Sequence, residues 1–184
     1  MCCEYAGNMA LLEVTLMEKL LRNALLFLSR SRAANRAAKR YGLRLGASRF
    51  VAGETIASAI EAVRELNREG IVGTLDHLGE FVDNEREAVQ AADCCIETLN
   101  AIEAAGVRSH LSLKLTQLGL DLSEALCLGS MRRILTQARQ YGNFVRIDME
   151  DYKHNEASLT VFRALHAEFP GTVGIVLQAY LYKT

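Results

Sequence analysis

The stretch that decides the fold is "VRIDMEDY", residues 145–152. In an extended chain successive side chains alternate, so Val145, Ile147 and Met149 share one face while Arg146, Asp148 and Glu150 share the other. A sheet covered by helices on both sides buries both faces. An aspartate in this run therefore poses a question. Either Asp148 caps the following helix, or the fold keeps a carboxylate on that face for chemistry.

Three other short runs show the same pattern: "IVGTLD" (71–76), "HLSLKLT" (110–116) and "VGIVLQAY" (173–180). Ile71, Gly73 and Leu75 alternate with Val72, Thr74 and Asp76. Leu111, Leu113 and Leu115 alternate with Ser112, Lys114 and Thr116. Ile175, Leu177 and Ala179 alternate with Val176, Gln178 and Tyr180. The apolar set of each strand is expected to face helices. The other set places Asp76, Lys114, Asp148 and Gln178 together near the strand C-termini, where parallel α/β folds carry their sites.

Helical periodicity fills the gaps. Ile56, Ile60, Val63 and Leu66 precede the first strand. Val89, Ala92, Ile96, Leu99 and Ile102 form the next stripe, with Asn84 and Glu87 as a capping box and Gly106 as its stop. Leu128, Met131, Leu135 and Ala138 mark a third helix, and Leu159, Phe162, Leu165 and Phe169 a fourth, ended by Pro170-Gly171. A helix in every gap requires parallel strands. The fold class is α/β, either an open doubly wound sheet or part of a (β/α)8 barrel. Neither G-x-G-x-x-G nor G-x-x-x-x-G-K-[ST] follows the first strand, which weakens a nucleotide-binding open sheet.

The chain has 184 residues, is half hydrophobic and carries a net charge of −1, as suits one globular domain with a real core. The charge is unevenly spread. Residues 17–49 hold nine Lys/Arg and one acid, Glu18, whereas residues 50–184 hold twelve basic and nineteen acidic side chains. The plainest reading of the basic arm is a solvated helix pair, ahead of a transit peptide, a membrane-surface helix or a nucleic-acid contact. "NALLFLS" is bounded by Arg22 and Arg30 and is too short to span a bilayer. The five cysteines, Cys2, Cys3, Cys94, Cys95 and Cys127, lack C-x-x-C spacing, so a reduced cytoplasmic protein with no metal site is expected.

Lys114 is the hardest residue to treat as scaffolding. An unpaired ammonium in a sheet costs several kcal/mol, about that much even after relaxation, so it needs an anionic partner or ligand. An internal salt bridge to Asp76 or Asp148 is the bland reading. Asp148 alone could be a helix cap, and Gln178 alone an ordinary polar residue; the four together read better as a site.

With these residues in hand, the sequence resembles the proline dehydrogenase family, flavoenzymes built on a (β/α)8 barrel. "TLDHLGE", "LSLKLTQLGLD", "VRIDMEDY" and "GIVLQAY" stand in the family's order at strand ends, and the resemblance runs from about Met17 onward. It implies oxidation of L-proline to Δ1-pyrroline-5-carboxylate in proline catabolism, with FAD as cofactor. Motif by motif, Lys114 of S-[IL]-K-L would bind the substrate carboxylate, and Asp148 of I-D-x-E would be the catalytic-site acid. Met149 would touch the flavin and Gln178 of [IV]-Q-A-Y would hydrogen-bond its ring. Glu80 of D-x-L-G-E would form an ion-pair gate over the substrate.

The family also implies a quinone or other membrane electron acceptor, which gives the basic arm a place at the inner face of the membrane. No nucleic-acid partner is expected. The chain stops soon after its fourth strand, so the expected organisation is an N-terminal helical arm, 1–49, and the first half of a (β/α)8 barrel, 50–184. Met17 is the expected truer start, with 1–16 an extension that is not native. Half a barrel leaves two edge strands open, and the alternative function is a non-catalytic half-barrel that self-associates or complements a missing half. A lyase or aldolase using Lys114 as a Schiff-base nucleophile is the third reading, against which Asp148 and Gln178 in their motifs argue.

Overall fold

The computed structural model describes residues 51–79 and 82–179, together with Lys19, Leu21 to Asn23, Phe27 and Ser31. The chain divides into two units, 1–52 and 53–184. In the first, Lys19, Leu21 to Asn23 and Phe27 are helical; most of the expected helical arm lies outside the described residues. Among the described residues no helix is long and apolar enough to cross a membrane.

The second unit alternates helix and strand: α1 (Ile56–Arg68), β1 (Gly73–Asp76), α2 (Glu85–Ala105), β2 (Ser109–Leu113), a 3-10 turn (Thr116–Leu118), α3 (Glu124–Gln140), β3 (Val145–Ile147), α4 (Asn155–Glu168) and β4 (Val173–Ile175). All neighbouring strands are parallel, and their spatial order is their sequence order, β1-β2-β3-β4. That order separates the two fold classes left open by the sequence. A doubly wound sheet reverses direction and places helices on both faces. Steps that always go the same way, each with the same crossover hand, keep every helix on one face, as in a barrel wall. The unit is thus a run of βα units of the (β/α)8 barrel type.

The strand register confirms which side chains share a face. Leu75, Leu111, Val145 and Val173 lie in one row across the sheet, and Asp76, Ser112, Arg146 and Gly174 in the next. The first row is buried under α2, α3 and α4, whose Leu99, Met131, Ile134, Leu135, Val161 and Leu165 complete the core. A smaller cluster, Ile60, Val63, Leu75 and Ile102, seats α1.

Local chemistry sets the ends of these elements. Thr55 accepts from Ser58 N and its own N–H donates to Ser58 Oγ, a capping box that starts α1. Asn84 accepts from Glu87 N at 3.0 Å and starts α2. The Glu87 carboxylate reaches Asp83 N rather than Asn84 N, so the expected capping box is displaced by one residue. Gly106 ends α2 at φ 59°.

Several expectations need correcting. The buried stripe of α2 is Ala88, Ala92, Cys95, Leu99 and Ile102, and Val89 is exposed; steps of four and three residues beginning at 88 follow the helix more closely. Leu66, counted in the α1 stripe, is likewise exposed. The strands are shorter than their apolar runs. Ile71 N donates to Leu66 O, so Ile71 belongs to the turn that closes α1. Thr116 opens a 3-10 turn instead of ending β2. Leu177, expected on the buried face of its strand, is 59% exposed.

Gly119 closes the 3-10 turn at φ +84°, and a Cβ there would stand 2.9 Å from Leu126 Cδ2 and 3.2 Å from Ala88 Cβ. Gly119→Ala combines a left-handed backbone penalty with overpacking, together about 2–3 kcal/mol. Urea unfolding followed by circular dichroism should show the midpoint fall accordingly, and an unchanged midpoint would mean that this turn does not constrain the fold.

Candidate functional site

The helix-free face of the sheet carries the polar members of each strand. Lys114 follows β2, and its Nζ stands 3.2 Å from Asp76 Oδ2 at the end of β1. Asp148 follows β3, and its Oδ1 accepts from Arg146 Nε at 3.3 Å. Asp148 N donates to Leu113 O at 2.9 Å and Val176 N to Ile147 O at 2.9 Å, so the ladder bonding extends past the strand ends. Lys114 and Asp148 therefore sit on adjoining strand ends, one row beyond Asp76 and Arg146.

This answers the question raised by residue 148. Asp148 does not cap α4. Nor does any other side chain cap α4; Asp151 fastens the turn ahead of it, its Oδ1 accepting from His154 N at 3.0 Å. Asp148 is instead half-buried on the open face in an ion pair with Arg146, a partner that alternation put on the right face but did not identify. The salt bridge weighed for Lys114 is present, to Asp76.

Of the other expected site residues, Gln178 lies just beyond β4 and is half-buried. Met149 is buried, at 5% exposure. Glu80 lies outside the described residues.

The loops behind these residues are fastened by groups that the sequence did not mark. The Glu150 carboxylate accepts from Thr116 N at 3.1 Å with one oxygen and from Thr116 Oγ1 with the other. Gln117 is buried beneath the end of β2, where its Oε1 accepts from Lys114 N at 3.4 Å and its Nε2 contacts Cys95 Sγ at 3.7 Å. Cys127 Sγ points at Leu115 O. Burial pushes the Cys95 and Cys127 thiols up to about 12, so neither is a nucleophile at neutral pH. His154 is buried between Asp121 and Asp151. The pairs Glu150–Thr116 and His154–Asp121 are 34 and 33 residues apart, and no short-range pattern announces contacts at that separation.

A small cavity of about 320 Å³ opens beside the end of β1, lined by His77, Val82, Glu87, Gln90 and Gln117 among others. His77 Nδ1 lies 3.5 Å from Cys94 Sγ at its edge. The Cys94 thiol is raised, first by burial and then by Glu97, which leaves it protonated.

Comparison with known proteins places these features in context. A family model described as proline dehydrogenase matches residues 59–184. Proline dehydrogenase 1 of Bacillus subtilis (strain 168) is 50% identical over 164 residues, covering 89% of this chain and 54% of that protein. Proline dehydrogenase of Deinococcus radiodurans is 45% identical over 142 residues, 75% of this chain and 46% of that one. The chain spans about half the length of the curated relatives it matches. A crystal structure of proline utilization A (PutA) from Bdellovibrio bacteriovorus, inactivated by N-propargylglycine, superposes with a TM-score of 0.69 at 24% identity, covering 78% of this chain and 18% of that chain. At that identity the likeness speaks for the fold.

The Glu150–Thr116 contact sets a testable cost. Glu150→Ala removes two hydrogen bonds, one from a backbone N–H, and should destabilise the chain by about 2 kcal/mol. Thr116→Val keeps the backbone bond and should cost about half as much. Urea midpoints for the two variants check the ranking; equal or negligible losses would show that the loops hold together without this carboxylate.

Proposed function

The chain belongs to the proline dehydrogenase family, and from that premise we propose that its polar sheet face is part of a centre that oxidises L-proline to Δ1-pyrroline-5-carboxylate in proline catabolism, with FAD as the oxidant. The observation that carries this reading is Lys114: a lysine on the helix-free face, at a strand C-terminus, beside an acid on each neighbouring strand end.

The residues present fit the ring end of a flavin and an amino-acid carboxylate. Gln178, half-buried beyond β4, offers an amide donor and acceptor to a heterocycle edge. Met149, its side chain buried, would meet the ring with its main chain. No glycine-rich phosphate loop follows β1, so nothing in this stretch is assigned to the phosphates. Bound there, the flavin would supply the hydride acceptor for proline C5.

The protein's own part is to bind and orient. Lys114 would anchor the substrate carboxylate as a point charge while keeping Asp76 on another of its N–H donors. Asp148, held from below by Arg146, would orient the substrate ring, and Gln178 the flavin. Holding the two reactants in register removes the entropy of their meeting from the barrier. Glu80 is proposed as the gate over the bound substrate. A cytoplasmic location, with a quinone or other membrane electron acceptor at the inner membrane face, completes the reading.

One observation favours a second role. Among the described residues β1 and β4 each pair on one side only, and open parallel edges attract further strands. Association with another copy or a complementary chain through those edges would cover them. A native mass corresponding to a single chain, at micromolar concentration and neutral pH, counts against it.

The central test is a visible spectrum of the flavin-loaded chain before and after anaerobic L-proline. The expected result is bleaching by L-proline, with Lys114→Ala raising the proline concentration for half-bleaching about tenfold or more while the flavin is retained. Flavin that L-proline leaves oxidised, failure to take up flavin at all, or a Lys114→Ala variant that titrates like the parent would each overturn the assignment.

A further inference from the structure

The loops that follow β2 and β3 are joined by one buried imidazole. His154 is 5% exposed. Its Nδ1 stands 2.6 Å from Asp151 Oδ1, and its Nε2 stands 3.1 Å from both Asp121 oxygens. An ionised carboxylate only accepts hydrogen bonds, so each ring nitrogen has to donate, and only the imidazolium carries hydrogens on both. A neutral ring would set one nitrogen lone pair against a carboxylate oxygen.

The surrounding charges agree with that state. Asp121 comes from the loop after β2, while Asp151 and Lys153 share the loop of His154. Lys153 Nζ lies 3.1 Å from Asp121 Oδ1. Glu150, at the head of the same loop, is occupied by Thr116. Two cations and two anions then balance within the cluster, counting His154 as charged.

We propose that protonated His154 is a positioning residue, a latch that holds the loop after β3 onto the loop after β2 and thereby fixes Asp148 relative to Lys114, and that the latch opens when the ring loses its proton. What the latch serves rests on the functional reading above; the latch itself does not. Its two ends, Asp121 and His154, lie in the loops that lead away from Lys114 and Asp148, just beyond the Thr116–Glu150 contact, so its release loosens the loops that follow both residues.

Proton linkage gives the direction of the pH dependence. Burial alone would lower the His154 pKa, but hydrogen bonds to Asp121 and Asp151, and their charges, raise it above the usual 6.5. The stability it contributes is fully present below the unfolded value and is lost as pH rises through the raised folded value. Asp121 is held low first by its bond from Lys153 and then by that from His154, and Asp151 first by the backbone N–H of His154. Their contribution is lost as pH falls through those lowered values. The latch is therefore closed over a window bounded on both sides.

The experiment follows the His154 ring nitrogens by NMR between about pH 5 and about pH 9, with amide protection factors for residues 116–122 and 148–155 at each pH. The expected result is a doubly protonated ring at neutral pH, and protection in both segments that falls together, about tenfold, as the ring deprotonates. His154→Gln should show the low protection at every pH while the amides of α2 and α3 stay as in the parent. Asp121→Asn, which keeps the ring, should move the loss to lower pH. A neutral ring at pH 7, or protection indifferent to pH and to His154→Gln, overturns the latch. Protection that tracks His154 in a chain on which neither flavin nor L-proline binds supports the latch and overturns the functional reading.

Discussion

Everything in the described fold follows from a one-sided sheet. Because β1 to β4 lie side by side in sequence order, the helices between them all pack on one face. Each strand then needs apolar side chains at every second position and is free of that demand at the others. Leu75, Leu111, Val145 and Val173 meet the demand in a single row. Asp76, Lys114, Arg146 and Asp148 occupy the freed positions. Burying any of those four against helices would cost more than the packing could return, so the polar face and the one-sided helix layer require each other.

The four charges are arranged as two acid–base pairs that each cross a row of the sheet. Asp76 reaches up from β1 to Lys114, and Arg146 reaches up its own strand to Asp148. Ser112 lies between Asp76 and Arg146 in the lower row, buried, its hydroxyl without a hydrogen-bond partner among the described residues. Partly buried pairs of this kind, their attraction set against the cost of desolvation, contribute little net stability, about 0–1 kcal/mol each. Their effect is on geometry: each fixes the direction of a long or charged side chain. The stronger fastenings lie above them, in the buried Thr116–Glu150 contact and the clasp around His154, where water competes less for each bond.

Alternation and helical spacing made the architecture legible, because both periods are imposed by backbone geometry within a few residues. Strand number, the helix between each pair of strands and the face of Asp148 all came from that. Exact ends did not. Ile71 is as apolar as Leu75 but is drawn into the turn closing α1, and Leu115 is as apolar as Leu113 but stands at the entry to a 3-10 turn whose first N–H Glu150 holds. The site was legible only in part. Lys114 stood out because a lysine within an apolar run needs an explanation. Arg146 did not, since an arginine at a strand position with one open face is unremarkable. Thr116 and Asp121 are ordinary surface-type residues until the fold brings them to Glu150 and His154, 34 and 33 residues away, and no local signal encodes that.

The pairing of Lys114 with Asp76 bears on how such a face can receive an anion. An ammonium in a partly buried site needs an anionic partner to offset its desolvation. Asp76 holds the ammonium in place through one contact at 3.2 Å. An arriving carboxylate therefore joins a preformed cation rather than creating one, and gains less than the full Coulomb attraction because one negative charge is already present. Had the same place been taken by an arginine, its planar fork would bind one carboxylate side-on through two bonds, leaving an internal acid and a ligand acid to compete for the same edge. A lysine shares where an arginine would choose. That difference suits the proposed site, in which the cation would keep its internal partner and accept the substrate carboxylate as a second one.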